Sequence, residues 1–196
     1  MRARVNGARV ASKRSPAPLI QPGATKMNSR HEIILGIDPS LRGTGYGIIR
    51  LARPHPIALA HGTISCPAGW ERSRCLLQIL QTIREKAAAH HPTACAIEGL
   101  FYAQNLQTAL IMGEARGASL AAAAEAGLEI FEIAPRKVKQ AIVGYGAAQK
   151  AAVAKMVQRM LQLQEPPSPD AADALALALT FAHETSRYGL AAPKKV

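Results

Sequence analysis

The sequence predicts an α/β fold built on a five-stranded mixed sheet, its first three strands antiparallel and its helices on both faces. Two features of the pattern lead there. Apolar runs near 33–38, 44–50 and 57–65 follow one another with only short Gly- and Pro-containing turns between them, as consecutive antiparallel strands do. Further runs at 93–98 and 129–133 are then separated by segments with three-to-four apolar spacing, so the order reads β-β-β-α-β-α-β followed by helices. A chain of 196 residues is enough for one such domain with a sizeable core.

The first strand, Ile33-Ile34-Leu35-Gly36-Ile37-Asp38, is apolar up to a terminal carboxylate and is closed by Pro39-Ser40. An Asp before Pro is a common turn opener. Yet a carboxylate at the margin of an apolar core also calls for a cation. After the next two strands, residues from Trp70 to about His90 carry Leu76, Leu77, Leu80, Ile83 and Ala87 at helical spacing, and Pro92 ends the helix. Thr93 to Glu98 forms the fourth strand, again apolar up to a carboxylate, and Gly99 after it permits close approach of a neighbour. An Ala-rich helix over 104–126 and a strand over Glu129 to Ile133 follow, then helices near 135–142, 147–163 and 169–184. The last begins with Ser168 as cap, Pro169 in the first turn and Asp170 where the helix dipole favours an anion. Asp173, one turn inside a segment that is Ala and Leu on nearly every face, has no such explanation.

Asp38, Glu98, Asp170 and Asp173 therefore come from two strand ends and one helix start, and can meet only if the sheet brings those ends together. An all-oxygen cluster suits hard divalent cations. Two magnesium ions about 3.5–4 Å apart can stabilise the attacking and leaving oxygens of phosphodiester hydrolysis. No Ser-His-Asp or Cys-His arrangement competes, since His90, His91 and His183 lie at or near helix ends and read as structural or solvent-exposed.

Charge and composition narrow the partners. The net charge of +11 is concentrated in residues 1–30, which hold seven Lys and Arg and no acid, whereas the remaining 166 residues carry 17 basic and 13 acidic side chains. The body is mildly basic, so a polyanion site there must be a local patch. The proline-containing stretch 1–30 is expected to be a disordered basic extension, adding non-specific DNA affinity or lying upstream of a start at Met27, and 31–196 a single domain. Cys66, Cys75 and Cys95 have neither disulfide nor zinc-knuckle spacing and fit a reducing cytoplasm. No segment is long and apolar enough to span a bilayer.

Gly36-Ile37-Asp38-Pro39 with Thr44-Gly45-Tyr46-Gly47, Ala96-Ile97-Glu98 with Phe101, Ala115-Arg116-Gly117, Val138-Lys139-Gln140 with Val143-Gly144, and Asp170-Ala171-Ala172-Asp173-Ala174-Leu175-Ala176 resemble, in order, the RuvC Holliday-junction resolvases. The resemblance covers about 33 to 184. It implies a ribonuclease H-like fold and a cytoplasmic homodimer that nicks opposed strands of a four-way DNA junction. It also implies magnesium or manganese as cofactor and the RuvA-RuvB branch-migration complex as partner. Asp38, Glu98, Asp170 and Asp173 match the family's metal-binding carboxylates, and Lys139 and Lys150 its lysines near the scissile phosphate. Ser40, where the family usually has Gly, and Gly99, where Gln is common, depart from the pattern without removing a ligand.

Around this set, Arg136, Lys137, Lys139 and Lys150 make a basic stretch suited to phosphate. Phe101 and Tyr102, directly after Glu98, suit stacking on unpaired bases, and the resemblance implies this for Phe101. A sugar-kinase or actin-like ATPase would also start with a strand ending in Asp, but needs a second phosphate loop and nucleotide domain for which this chain is too short. A junction-binding protein without catalysis would have lost one or more of the four carboxylates, and all four are present. The small and apolar residues Leu106, Ala109, Leu110, Gly113, Gly117 and Leu120 make the 104–126 helix a candidate surface for self-association.

Overall fold

The computed structural model describes residues 31–99, 105–186 and 193–196. The elements are β1 (Ile33–Asp38), β2 (Gly43–Arg50), β3 (Ile57–Ser65), α1 (Arg72–His90), β4 (Ala94–Glu98), α2 (Leu106–Glu125), β5 (Glu129–Ile133), α3 (Pro135–Val143), α4 (Lys150–Met160), α5 (Pro169–Ser186) and β6 (Lys194–Lys195). The sheet order is β3-β2-β1-β4-β5-β6. β1–β2 and β2–β3 pair antiparallel, and β1–β4 and β4–β5 parallel. The sixth strand departs from the expected five: two lysines pair antiparallel with Phe131 and Glu132 at the β5 edge. Two exposed, charged residues carry no apolar alternation, so nothing local in the sequence signals them as a strand.

Each strand divides its residues between two cores by parity. Ile34, Ala94 and Ala96 face α3, α4 and α5 together with Ile133, Val153, Val157, Leu175 and Phe181. Leu35, Ile37, Cys95 and Ile97 face α1 and α2 together with Ile79, Ile83, Ala115 and Ala122. Continuing the alternation, Asp38 and Glu98 fall on the α5 side of the sheet.

α5 lies so close to this face that side chains would not fit between backbones. A Cβ on Gly36 would stand 1.9 Å from the Ala174 carbonyl oxygen, and one on Gly45 2.0 Å from that of Asp170. Gly45 is the registered partner of Asp38 across β1 and β2, so the contact that seats the first turn of α5 also sets it beside the end of β1. The seat is fastened further by a 2.9 Å hydrogen bond between the hydroxyls of Thr63 and Ser168.

Gly36→Ala is therefore expected to destabilise the fold by about 3 kcal/mol or more, because backbone must move. Gly47→Ala should cost less, since two of its three nearest obstacles are the Leu175 side-chain atoms Cγ and Cδ2, both at 2.7 Å. Urea unfolding midpoints measure both; equal, small losses would show that α5 is not held at backbone contact.

Candidate active site

Parallel pairing of β1 with β4 runs in register from Ile34 with Ala94 to Ile37 with Ile97. One residue further, the carboxyls of Asp38 and Glu98 are hydrogen-bonded to each other. α5 brings Asp170 and Asp173 from above. Asp170 lies over the β2 start, where a Cβ on Gly43 would stand 3.0 Å from its Oδ2. Acids in the first turn also complement the helix dipole. Lys150, the first residue of α4, reaches across to Asp173 with Nζ 2.7 Å from Oδ2.

The electrostatics follow from crowding like charges at a core margin. Burial pushes the Glu98 carboxyl up to about 8, with the Asp38 charge, its hydrogen bond to Asp38 and the Asp173 charge adding, while Lys150 offsets part. Asp38 is raised as well, chiefly by burial, though its hydrogen bond from Glu98 pulls the other way. Near neutrality Glu98 therefore holds a proton and donates it to Asp38. The Lys150 ammonium is held above its ordinary range, first by its hydrogen bond to Asp173. Among the described residues, no three carboxylate, imidazole or thiol groups close on one point as a ready-made coordination shell. The donors nonetheless fit magnesium or manganese: all are carboxylate oxygens, and their like charges are only partly offset by one proton and one ammonium, both of which a cation can displace.

The structure thus gathers Asp38, Glu98, Asp170, Asp173 and Lys150. Of the other expected contacts, the side chain of Lys139 on α3 makes no ion pair or hydrogen bond among the described residues. Lys137 is engaged with Glu184 at 2.8 Å, and the exposed Arg136 folds its side chain across Gly146. Phe101 and Tyr102 lie outside the described residues. His90 ends α1 and His91 caps it, away from the carboxylates, and His183 sits near the far end of α5. Sequence reasoning gave no role to Arg116, which donates from Nε to the Glu98 carbonyl oxygen at 3.3 Å and pairs through Nη2 with Glu132. Its signals were a lone Arg among the small residues of α2 and its place in the Ala115-Arg116-Gly117 stretch that shares the family resemblance, neither of which names a contact.

A family model described as crossover junction endodeoxyribonuclease RuvC matches residues 34–181. Among curated relatives, the Akkermansia muciniphila crossover junction endodeoxyribonuclease RuvC is 47% identical over 147 residues, 75% of this chain and 88% of the relative. That of Heliobacterium modesticaldum is 45% identical over 152 residues, covering 77% and 94%. Among solved structures, Thermus thermophilus RuvC in complex with a Holliday junction substrate aligns with a TM-score of 0.77 at 32% identity, over 85% of this chain and 100% of that one. The yeast mitochondrial Holliday junction resolvase Ydc2, at 12% identity and a TM-score of 0.54 over 78% and 80%, shares the fold.

The raised carboxyls make stability fall as pH rises in metal-free buffer. Below the ordinary carboxylate range folded and unfolded states are both protonated; between there and about 8 the folded state retains the Glu98 proton that the unfolded chain has lost. The melting temperature of the wild type should drop by several degrees across that window, and Glu98→Gln should flatten the drop. Parallel profiles for the two proteins would refute the shared proton.

Proposed function

Because the chain belongs to the RuvC family of crossover junction endodeoxyribonucleases, we propose that the Asp38, Glu98, Asp170 and Asp173 cluster is the centre at which it hydrolyses DNA strands at four-way junctions. The observation that carries the assignment is the convergence of the β1 and β4 ends with the first turn of α5, which puts four carboxylates and Lys150 in mutual electrostatic contact. Magnesium or manganese, as one or two ions held by these four residues, would supply Lewis-acid stabilisation of the attacking and leaving oxygens.

The chain's own residues do the rest. Asp38 and Glu98, facing each other at half-buried strand ends, would act as one unit in holding a cation and would release their shared proton to do so. Lys150 stands at the N-terminus of α4, where the helix dipole disfavours a cation, and its partner is Asp173 rather than the helix. With a side chain 77% exposed it can swing from Asp173 to the DNA phosphate, offsetting charge in the transition state. Lys139, uncommitted to any acid among the described residues, is available for the same phosphate. Arg136 and Lys137 are proposed to contact the backbone further out, Lys137 at the expense of its pair with Glu184, and Phe101 and Tyr102 to stack on bases opened at the junction centre.

Cleavage of opposed strands requires two sites. The homodimer is proposed to form along α2, where Leu106 and Leu110 are 75% and 58% exposed among the described residues, continuing towards Leu77 of α1 at 53%. None of the helices among the described residues is long and apolar enough to cross a membrane. The cytoplasm and the RuvA-RuvB complex follow as proposed setting and partner, with residues 31–196 as the nuclease domain and the basic 1–30 stretch as a salt-sensitive aid to DNA binding.

Asp38→Asn keeps shape and removes one ligand charge. It should bind a four-way junction within about threefold of wild type in a gel-shift assay while cleaving at least about 100-fold more slowly. Wild-type cleavage by this variant would refute the assignment. Leu110→Glu should convert a dimer to a monomer by light scattering and abolish paired nicking; an unchanged mass would move the interface elsewhere.

A further inference from the structure

Arg116 lies midway along α2 with its side chain 14% exposed. A guanidinium so far from water is retained only where acceptors fixed by the fold use its donors. One acceptor is the Glu132 carboxylate on β5, which is in turn approached at 4.0 Å by Lys194, its registered partner on β6. The other is the carbonyl oxygen of Glu98, at 3.3 Å from Nε. A line of contacts therefore runs from the edge strand through Glu132 and Arg116 to the backbone of a residue in the carboxylate cluster.

On the β1 side the sheet ladder gives out just before this position. Registered pairing of β4 with β1 ends at Ile97, so Glu98 is held by the sheet on one side only, where it is registered with Ile133 of β5, whose carbonyl accepts from the Gly99 N–H. Glu98 is the last residue of its strand, so the direction of its carboxyl depends on how firmly its own peptide is held. We infer that Arg116 is a positioning residue for DNA cleavage, clamping the Glu98 carbonyl so that the Glu98 carboxylate is aimed at Asp38 and at an entering cation. The inference rests on Glu98 belonging to the metal-binding set. It also explains why the position carries Arg: one planar fork spans acceptors on two strands, whereas a lysine ammonium keeps the charge and the Glu132 pair but cannot also hold the carbonyl.

The test uses the full chain with three variants, Arg116→Lys, Glu132→Gln and Glu98→Gln. Arg116→Lys should melt within a few degrees of wild type and bind a four-way junction within about twofold. Its cleavage rate should fall about 10- to 100-fold at saturating junction, and its affinity for Mn2+, measured calorimetrically without DNA, should weaken at least about fivefold. Should the lysine variant fail to fold, Glu132→Gln keeps the arginine while loosening its anchor and is expected to show a smaller loss of the same two quantities. Wild-type cleavage and wild-type Mn2+ affinity in Arg116→Lys would overturn the inference. So would a loss of cleavage matched by an equal loss of junction binding with unchanged Mn2+ affinity, which marks a structural role. Glu98→Gln separates the two levels: if it cleaves normally, the reading of the site falls and this inference with it. If it is inactive beside a fully active Arg116→Lys, only the positioning role is lost.

Discussion

The backbone contact between α5 and the β1–β2 hairpin is the constraint on which the site depends. With Gly36 and Gly45 beneath it, the helix descends until its carbonyl oxygens occupy the space that side chains would take. That approach buries Ala171, Ala174, Leu175 and Ala178 completely, and the gain in apolar contact lets the first turn of α5 be held rigidly at the sheet's end. The same descent fixes where Asp170 and Asp173 must be. Placement of the four carboxylates and core packing are thus one feature, and a residue that lifted the helix to relieve a clash would move half of the carboxylates away from the other half.

Close packing forces like charges together, and the fold tolerates this by neutralising them in two separate ways. Within the sheet, Glu98 keeps its proton to about 8 and lends it to Asp38. On the helix, Asp173 borrows a positive charge from Lys150. Both arrangements are weaker than a divalent ion would be, since one is a protonated acid in a slot suited to a charge and the other a largely exposed ion pair worth about 0–1 kcal/mol. The cluster is consequently poised to exchange its neutralising charges for a cation without disturbing the scaffold that holds it.

Most of the architecture was legible because it rests on local pattern. Five apolar residues before Asp38, the run before Glu98 and the Ser168-Pro169-Asp170 helix start each carry their own signal, and each element was found where its periodicity put it. The joint presence of the four acids on one face was not local: it depends on the parallel register of β1 and β4, which periodicity cannot supply. The resemblance to a known family bridged that gap. What stayed hidden depends on partners distant in the chain. β6 is two lysines with no alternation, recognisable only once β5 offers an open edge. Lys137 resembles its basic neighbours until Glu184 is seen beside it, and Arg116 is an ordinary helical arginine until the Glu98 carbonyl is placed within its reach.

Basic residues around the site divide by how they are held, and the division bears on what each can do. Arg116 is enclosed, bonded to two acceptors and unable to leave without stranding a buried charge, so it can only maintain geometry. Lys137 is paired with Oε1 of Glu184, whose Oε2 is buried with no hydrogen-bond partner among the described residues, so releasing the lysine would leave both oxygens of that carboxylate unsatisfied. Lys150 is long, mostly in solvent and tied to one exposed pair, so its transfer from Asp173 to a phosphate costs little. A phosphate arriving at the cluster brings negative charge while a cation brings positive charge, and Lys150 is placed to answer both by changing partner. The rigid arginine and the movable lysine therefore act on opposite requirements of the same four carboxylates: fixed aim, and adjustable charge.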